Sequence, residues 1–352
     1  MKDNKTANRY GKRAFRIIVI SLISMIVVGV GSAVLFYSLT GRLYTTEEPE
    51  IVTYDRHYAF IVSNDDSEFW NEVYASICDE AALNNIYIEN MEDSLGVNYS
   101  DTDLLRVAIN SSVDGIIYGG TTDDTAASLI DEAVNDGIAV VILQNDIEAS
   151  MRQCFVGVNN YELGQMYASQ ISKLAENYDE AKPITADILV NISMNEGASN
   201  VIAMAIEDYF SDNYPDMIMP ELQIIRVNTE DTFSVEEDIK KLFMKEENLP
   251  DIMLCLNSIY TQCVYQAIID QNKVGDVSVV GYFANKSILE AIDKKIIYST
   301  ISVDTEEMGR DSVQALMEYE DTGYTNSYVP ISTQVIGRKE AKALLYGDKK
   351  NE

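Results

Sequence analysis

Apolar residues are arranged along this chain in two ways. Near the N-terminus, Ile17 to Gly41 run without a single charge. From Tyr58 onward, short runs rich in Ile and Val alternate with stretches in which apolar residues recur every three or four positions. The short runs predict strands at Tyr58–Ser63, Ile86–Asn90, Gly115–Tyr118, Ile138–Leu143, Ala186–Asn191, Leu222–Asn228, Asp251–Asn257, Val277–Gly281 and Ile297–Val303. Their near-continuous apolar composition is that of strands covered on both faces, and the alternation with helices predicts a parallel sheet. Phe69, Val73, Ile77 and Ala81 recur every four residues and so share one face of the first helix. Ser100 followed by Asp103 marks a helix start, and Asp136-Gly137 a helix stop. Roughly 290 residues exceed what one hydrophobic core usually serves, so two lobes are expected. No Pro- or Gly-rich linker separates them, which predicts several short crossings rather than one tether.

As a helix the N-terminal apolar run would span roughly 37 Å, enough for the ~30 Å hydrocarbon layer of a bilayer. Lys2, Lys5, Arg9, Lys12, Arg13 and Arg16 precede it, against the single acid Asp3. That excess favours a cytoplasmic N-terminus with the rest of the chain outside the cell. A cleaved signal peptide is the competing reading, with Gly31-Ser32-Ala33 as a weak cleavage site. Such signals have apolar cores of about 7 to 15 residues, shorter than this run. The expected organisation is a basic cytoplasmic segment (1–16), a single-pass transmembrane signal anchor (17–41), a polar tether (42–57) and an exterior domain.

Charge narrows the partners. Beyond residue 16 the chain holds 20 basic and 56 acidic side chains, a net of −36. That field repels polyanions, which excludes a nucleic-acid partner, and it keeps an exported domain soluble. Cys78, Cys154, Cys255 and Cys263 lack zinc-type spacing and read as buried free thiols. With His57 as the lone histidine, histidine catalysis and a histidine metal cluster are nearly excluded. Asp65, Asp66 and Glu68 lack the spacing of a calcium loop and read as a solvated acidic turn, so no metal or cofactor is expected.

Four segments in order, Tyr58-Ala-Phe-Ile-Val-Ser63, Phe69-Trp70, Val113-Asp-Gly-Ile-Ile117 and Asp276-Val-Ser-Val-Val-Gly281, resemble the type I periplasmic binding proteins, above all the ribose-binding branch. The resemblance covers Tyr58 to about Lys339. It implies two doubly wound α/β lobes joined by a three-segment hinge, with residues 58–159 and 304–331 in one lobe and 160–303 and 332–345 in the other. Ligand would lie between them at the carboxyl ends of the strands, and hinge closure would trap it.

The same resemblance points to ligand residues. Asn64, Asp66 and Ser67 lie in the loop after the first strand, followed by Phe69 and Trp70 at the positions of two aromatics that flank a sugar ring. Phe69 also belongs to the core stripe, so both roles stay open. Thr121 sits in Gly119-Gly120-Thr121-Thr122, a ligand-side loop or an ordinary turn. Gln144 and Asn145 replace an Asp-Arg pair, Asn200 an Arg, Phe283 an Asp and Val303 a Gln, whereas Asn257 matches the usual Asn. Asp304 is a ligand contact or a helix cap. The pentose contact set is thus mostly missing. A larger glycan fragment, a less hydroxylated molecule or weak affinity would each fit.

The expected function is therefore a membrane-tethered solute receptor. It would close around a small polar, sugar-like ligand and present it to an ABC importer or a sensor histidine kinase. A ligand-free interaction module on the same fold is the alternative. An enzyme is disfavoured, because no Gly-x-Ser-x-Gly elbow, Walker loop or Gly-x-Gly-x-x-Gly turn occurs. A repressor-type regulator would need a basic helix-turn-helix where the apolar span stands.

Overall fold

In the computed structural model each predicted apolar run becomes a strand whose ends agree within two residues. The structure describes residues 19–36, 38, 53–62, 67–95, 99–176, 178, 182–192, 194, 196–228, 232–245 and 249–347. The basic segment 1–16, most of the tether, and the site candidates Asn64 and Asp66 lie outside the described residues. The chain divides into two compact units, Met1–Thr53 and Tyr54–Glu352.

In the first unit, helix α1 (Val19–Phe36) has a mean hydropathy of 2.5 and buries none of its residues. At ~1.5 Å rise per residue it is about 27 Å long, and its 18 residues fall within the roughly 17 to 25 of a membrane-spanning helix. The Ser32 hydroxyl donates to the carbonyls of Val28 (2.8 Å) and Gly29 (3.0 Å), so this polar group is satisfied within the helix.

The second unit holds two six-stranded sheets. The first contains β1 (Arg56–Val62), β2 (Ile86–Asn90), β3 (Gly115–Gly119), β4 (Ala139–Leu143), β5 (Cys154–Gly157) and β11 (Tyr328–Pro330). Its order is β11-β5-β4-β3-β1-β2, and every pairing is parallel. The second contains β6 (Thr185–Asn191), β7 (Glu221–Val227), β8 (Ile252–Cys255), β9 (Ser278–Tyr282), β10 (Ser299–Val303) and β12 (Thr333–Ile336). Its order is β12-β10-β9-β8-β6-β7, parallel except for β12, which runs antiparallel to β10. Each sheet therefore reverses direction of winding beside its first strand, between β1 and β3 and between β6 and β8. The chain passes between the sheets three times, after β5, after β10 and after β11.

Three strands escaped the sequence reading. β5 is four residues long, β11 is the tripeptide Tyr-Val-Pro, and β12 has only Val335 and Ile336 as apolar residues. Elements this short carry too little pattern to stand out. They become strands because the edges of β4, β5 and β10 offer unpaired backbone groups to β5, β11 and β12 in turn.

The helix signals translate directly. Phe69, Val73, Ile77 and Ala81 are all buried along α2 (Glu68–Leu83). Ser100 caps α4 (Asp101–Ser111) through the Asp103 N–H at 3.2 Å. Beyond α5 (Asp124–Asn135), Gly137 takes φ 89°, the left-handed conformation that a side chain resists. All four cysteines are free; three are buried and Cys78 is half-buried. Burial raises their pKa, to about 12 for Cys154 and about 11 for Cys263.

Candidate functional site

The carboxyl ends of the two sheets face each other across a cleft, and both reversal points open onto it. From the first lobe's side come Ser67, Phe69 and Trp70 at the start of α2, Gly119, Gly120 and Thr122 at and after the end of β3, and Gln144 and Asn145 after β4. From the second come Asn191 at the end of β6, Asn257 after β8 and Tyr282 at the end of β9. This is the crevice where open α/β sheets bind ligands. The lining includes first-turn residues of three helices, α2, α6 (Asn160–Ala175) and α9 (Ser258–Asp270). Their N-termini bring backbone N–H groups and partial positive charge to the cleft.

Side chains are fixed locally before they meet. Ser67 caps α2, its hydroxyl accepting from the Trp70 N–H at 3.2 Å. Asn257 caps α9, Oδ1 accepting from the Tyr260 N–H at 2.8 Å; its Nδ2 donors take no part in the cap. Thr261 ties two lining residues together. Its hydroxyl donates to the Asn257 carbonyl at 2.8 Å and accepts from the Tyr282 N–H at 2.9 Å. Trp70 rests on Gly119, where an added Cβ would lie 2.5 Å from the indole. Gly119 is therefore the place where the indole seats itself on the end of β3.

The cleft wall has a consistent chemistry. Five carboxamides line it, Gln144, Asn145, Asn160, Asn191 and Asn257, with hydroxyls from Ser67, Thr122 and Ser258. Trp70, Phe69, Tyr260 and Tyr282 supply aromatic rings. Among the described residues no charged side chain lines the cleft, although the chain carries 83 charged residues. The enclosed space is small, ≈ 80 Å³ for the centres of water-sized spheres.

Six sequence candidates converge here: Ser67, Phe69, Trp70, Gln144, Asn145 and Asn257. Phe69 both lines the cleft and is buried in the core. Four other candidates stand elsewhere. Thr121 turns its backbone inward, its N–H bonding Asp101 and its carbonyl accepting from the Tyr118 hydroxyl at 2.9 Å. Asn200 is an exposed residue of α7 (Glu196–Asn213) outside the lining. Phe283 is buried behind Phe69. Asp304 caps α11 (Thr305–Thr322), accepting from the Glu307 N–H at 2.8 Å. Sequence reasoning missed Asn160, Asn191 and Tyr282. The first two are isolated polar residues at element ends, a signal present at dozens of positions. An Asp–Arg pair does exist beside the cleft, but between Asp146 and Arg152. It is a bidentate pair outside the lining, and Arg152 also donates to the Ser327 carbonyl at 3.1 Å.

A larger groove, ≈ 550 Å³, lies at the opposite ends of β9 and β10. Its two buried polar side chains satisfy each other, Ser299 donating to Gln170 at 3.3 Å. No set of polar groups converges there comparable with the amides of the cleft.

Solved structures share this architecture. GanP, a glucose-galactose binding protein from Geobacillus stearothermophilus, superposes with a TM-score of 0.65 at 17% identity, covering 82% of this chain and 99% of that one. XylFII in its complex with LytSN gives 0.63 at 18% identity, covering 82% and 100%. An ABC transporter solute binding protein from Agrobacterium vitis, with bound D-fucose, gives 0.64 at 16% identity, covering 80% and 96%. No curated protein sequence gives a significant match. The family model described as a periplasmic binding protein domain matches residues 58–323, so this chain belongs to that family of extracytoplasmic solute-binding proteins.

Proposed function

We propose that this protein is a membrane-tethered receptor that closes around one small, uncharged, sugar-like molecule outside the cell. The observation that carries the reading is the cleft wall: five carboxamides, the hydroxyls of Ser67, Thr122 and Ser258, and four aromatic rings, with no charged side chain among the described residues. Carboxamides offer donors and acceptors that match hydroxyl groups, and aromatic faces suit the C–H face of a sugar ring. An anionic ligand would lose its hydration without gaining a charged partner, which is costly. The ≈ 80 Å³ volume favours a single ring or less over a larger glycan fragment.

Helix α1 serves as the anchor in this reading, with the basic residues before it held in the cytoplasm. The closed domain is then read by an ABC importer or by a sensor kinase. Support comes from relatives of the same fold, one titled an ABC transporter solute binding protein and one solved in complex with LytSN. The contacts that already join the lobes favour a second reading, a module recognised by its partner without a ligand.

The test is differential scanning of the full chain in detergent with neutral monosaccharides and with sugar acids and sugar phosphates. A ligand present at 100 times its Kd stabilises by about 2.7 kcal/mol, a shift of roughly 5 °C or more. A neutral monosaccharide should give such a shift and its acid analogue none. Flat responses to every neutral sugar, or a larger response to an acid, overturn the proposal.

A further inference from the structure

We infer that the two lobes hold each other closed through their own side chains, without a ligand, and that this clasp fixes the size of molecule the cleft accepts. The inference goes beyond the receptor reading and does not depend on the ligand's identity.

The clasp is built on the first turn of α2, which belongs to the first lobe. Phe69 meets Phe283 of the second lobe edge to face, with ring centroids 5.4 Å apart at 90°, and Tyr282 at 6.2 Å. Beside it, Glu68 accepts from the Nδ2 of Asn285 at 2.6 Å. Asn285 is itself buried, and its Oδ1 caps α10 (Lys286–Asp293) through the Ile288 N–H at 2.9 Å. On the other side of the cleft, Gln144 of the first lobe lines the same space as Tyr282. One segment of the second lobe, residues 282–285, is thus gripped by two neighbouring residues of the first lobe, Glu68 and Phe69.

Two of these residues have a backbone that points to the same conclusion. Gln144 has φ 63° and Phe283 φ 71°. Left-handed backbone is rare for any residue with a side chain and rarer for a bulky one, and it persists where the surroundings enforce it. Phe283 is held by its N–H on the Ile301 carbonyl at 2.7 Å and by the Thr300 hydroxyl on its own carbonyl at 2.6 Å. That geometry turns its ring out of the cleft lining and onto Phe69. Separating the lobes would expose Phe69 and Phe283, now 2% and 4% accessible, and would break the Glu68–Asn285 bond. A ligand shifts an open–closed balance only by its difference in affinity for the two forms. In this chain much of the closed form's advantage comes from contacts that no ligand makes. The small closed volume follows directly, because the clasp sets the lobe separation.

The test uses the full chain in phosphatidylcholine nanodiscs, on a Cys78→Ser background so that the remaining cysteines are buried. Spin labels go on Asp124→Cys at the start of α5 and Glu196→Cys at the start of α7, exposed positions on opposite lobes. Pulsed electron spin resonance measures the distance between them with no sugar added, after mass spectrometry of the denatured sample shows nothing bound. The expected result is one narrow, short-distance population. Phe283→Gly should convert most of it to a longer distance, since glycine tolerates the same φ and only the ring is lost. Glu68→Ala, at an exposed position, should do so in part and needs no change in the core. A long distance in the unmodified clasp without ligand, or an unchanged distribution in both variants, overturns the inference. Either result leaves the thermal response to neutral sugars standing, so the two proposals fail separately.

Discussion

Asn257 joins the stability of the second lobe to the chemistry of the cleft, and its two roles can be separated. Its Oδ1 accepts the Tyr260 N–H at 2.8 Å at the start of α9, and the same carboxamide lines the cleft. Replacement by Ala removes the cap, which costs about 1 kcal/mol. For a domain of this size that lowers Tm by roughly 2 to 3 °C. The Asn257 carbonyl keeps its bond from Thr261, so the loss stays confined to one N–H. Replacement by Asp keeps a capping oxygen, with its negative charge favourable at a helix N-terminus, so Tm should stay within about 1 °C of the parent. Asp has no Nδ2 donors and brings a charge into a wall that has none among the described residues. A lost neutral hydrogen bond costs about 0.5–1.5 kcal/mol, and an unpaired partly buried charge costs more. Affinity for the neutral sugar that raises Tm in the scan should therefore fall at least about tenfold. The assays are scanning calorimetry of both variants and isothermal titration with that sugar. The reasoning is refuted if the Ala variant melts with the parent, or if the Asp variant binds as tightly as the parent.

Three further outcomes follow from particular contacts. Trp70 is the sole tryptophan, and an added Cβ at Gly119 would lie 2.5 Å from its ring; Gly119→Ala should push the indole out, seen as a red shift in emission, and an unchanged spectrum would show that the indole does not rest there. The Tyr260 hydroxyl is buried and closes no hydrogen bond among the described residues; burial raises its pKa, while the neighbouring Asn257 carboxamide acts in the opposite direction. Tyr260→Phe should therefore raise Tm, since an unsatisfied buried hydroxyl costs about 1–3 kcal/mol, and a lower Tm would mean that the hydroxyl has a partner. The Ser332 N–H, bonded to Glu307 at 2.7 Å, holds that carboxyl below its ordinary value of 4.5. A lowered folded-state pKa stabilises above the ordinary value and is lost as pH falls through the lowered one. The Tm advantage of the parent over Glu307→Gln should thus be full at pH 7 and shrink in acid below 4.5; an advantage that grows in acid contradicts the assignment.

Sequence reasoning reached the long elements because each carries its own record. A strand covered on both faces must be apolar throughout, as in Ala139–Leu143, and a helix laid on a sheet must repeat its apolar face, as from Phe69 to Ala81. The acidic surface and the apolar N-terminal helix are likewise sums over local composition. β5, β11 and β12 were silent because edge pairing, not their own residues, makes them strands. At the site, Ser67, Trp70, Gln144, Asn145 and Asn257 were named because the resemblance implies ligand contacts after strand ends, and the pattern had located those ends.

What the chain alone determined is the alternation of strands and helices, since continuous apolar runs and an apolar repeat of about 3.6 are properties that a segment shows by itself, while the two-lobed arrangement and the place of the cleft were what the resemblance implied. What only the tertiary structure decided is which polar side chains meet and what room they leave. Asn160, Asn191 and Tyr282 enter the wall from elements far apart in sequence. Phe283, read from its position as a ligand contact, turns instead onto Phe69, because a left-handed backbone aims its ring there. Such encounters depend on distances between lobes and on single φ values, which no run of residues encodes locally.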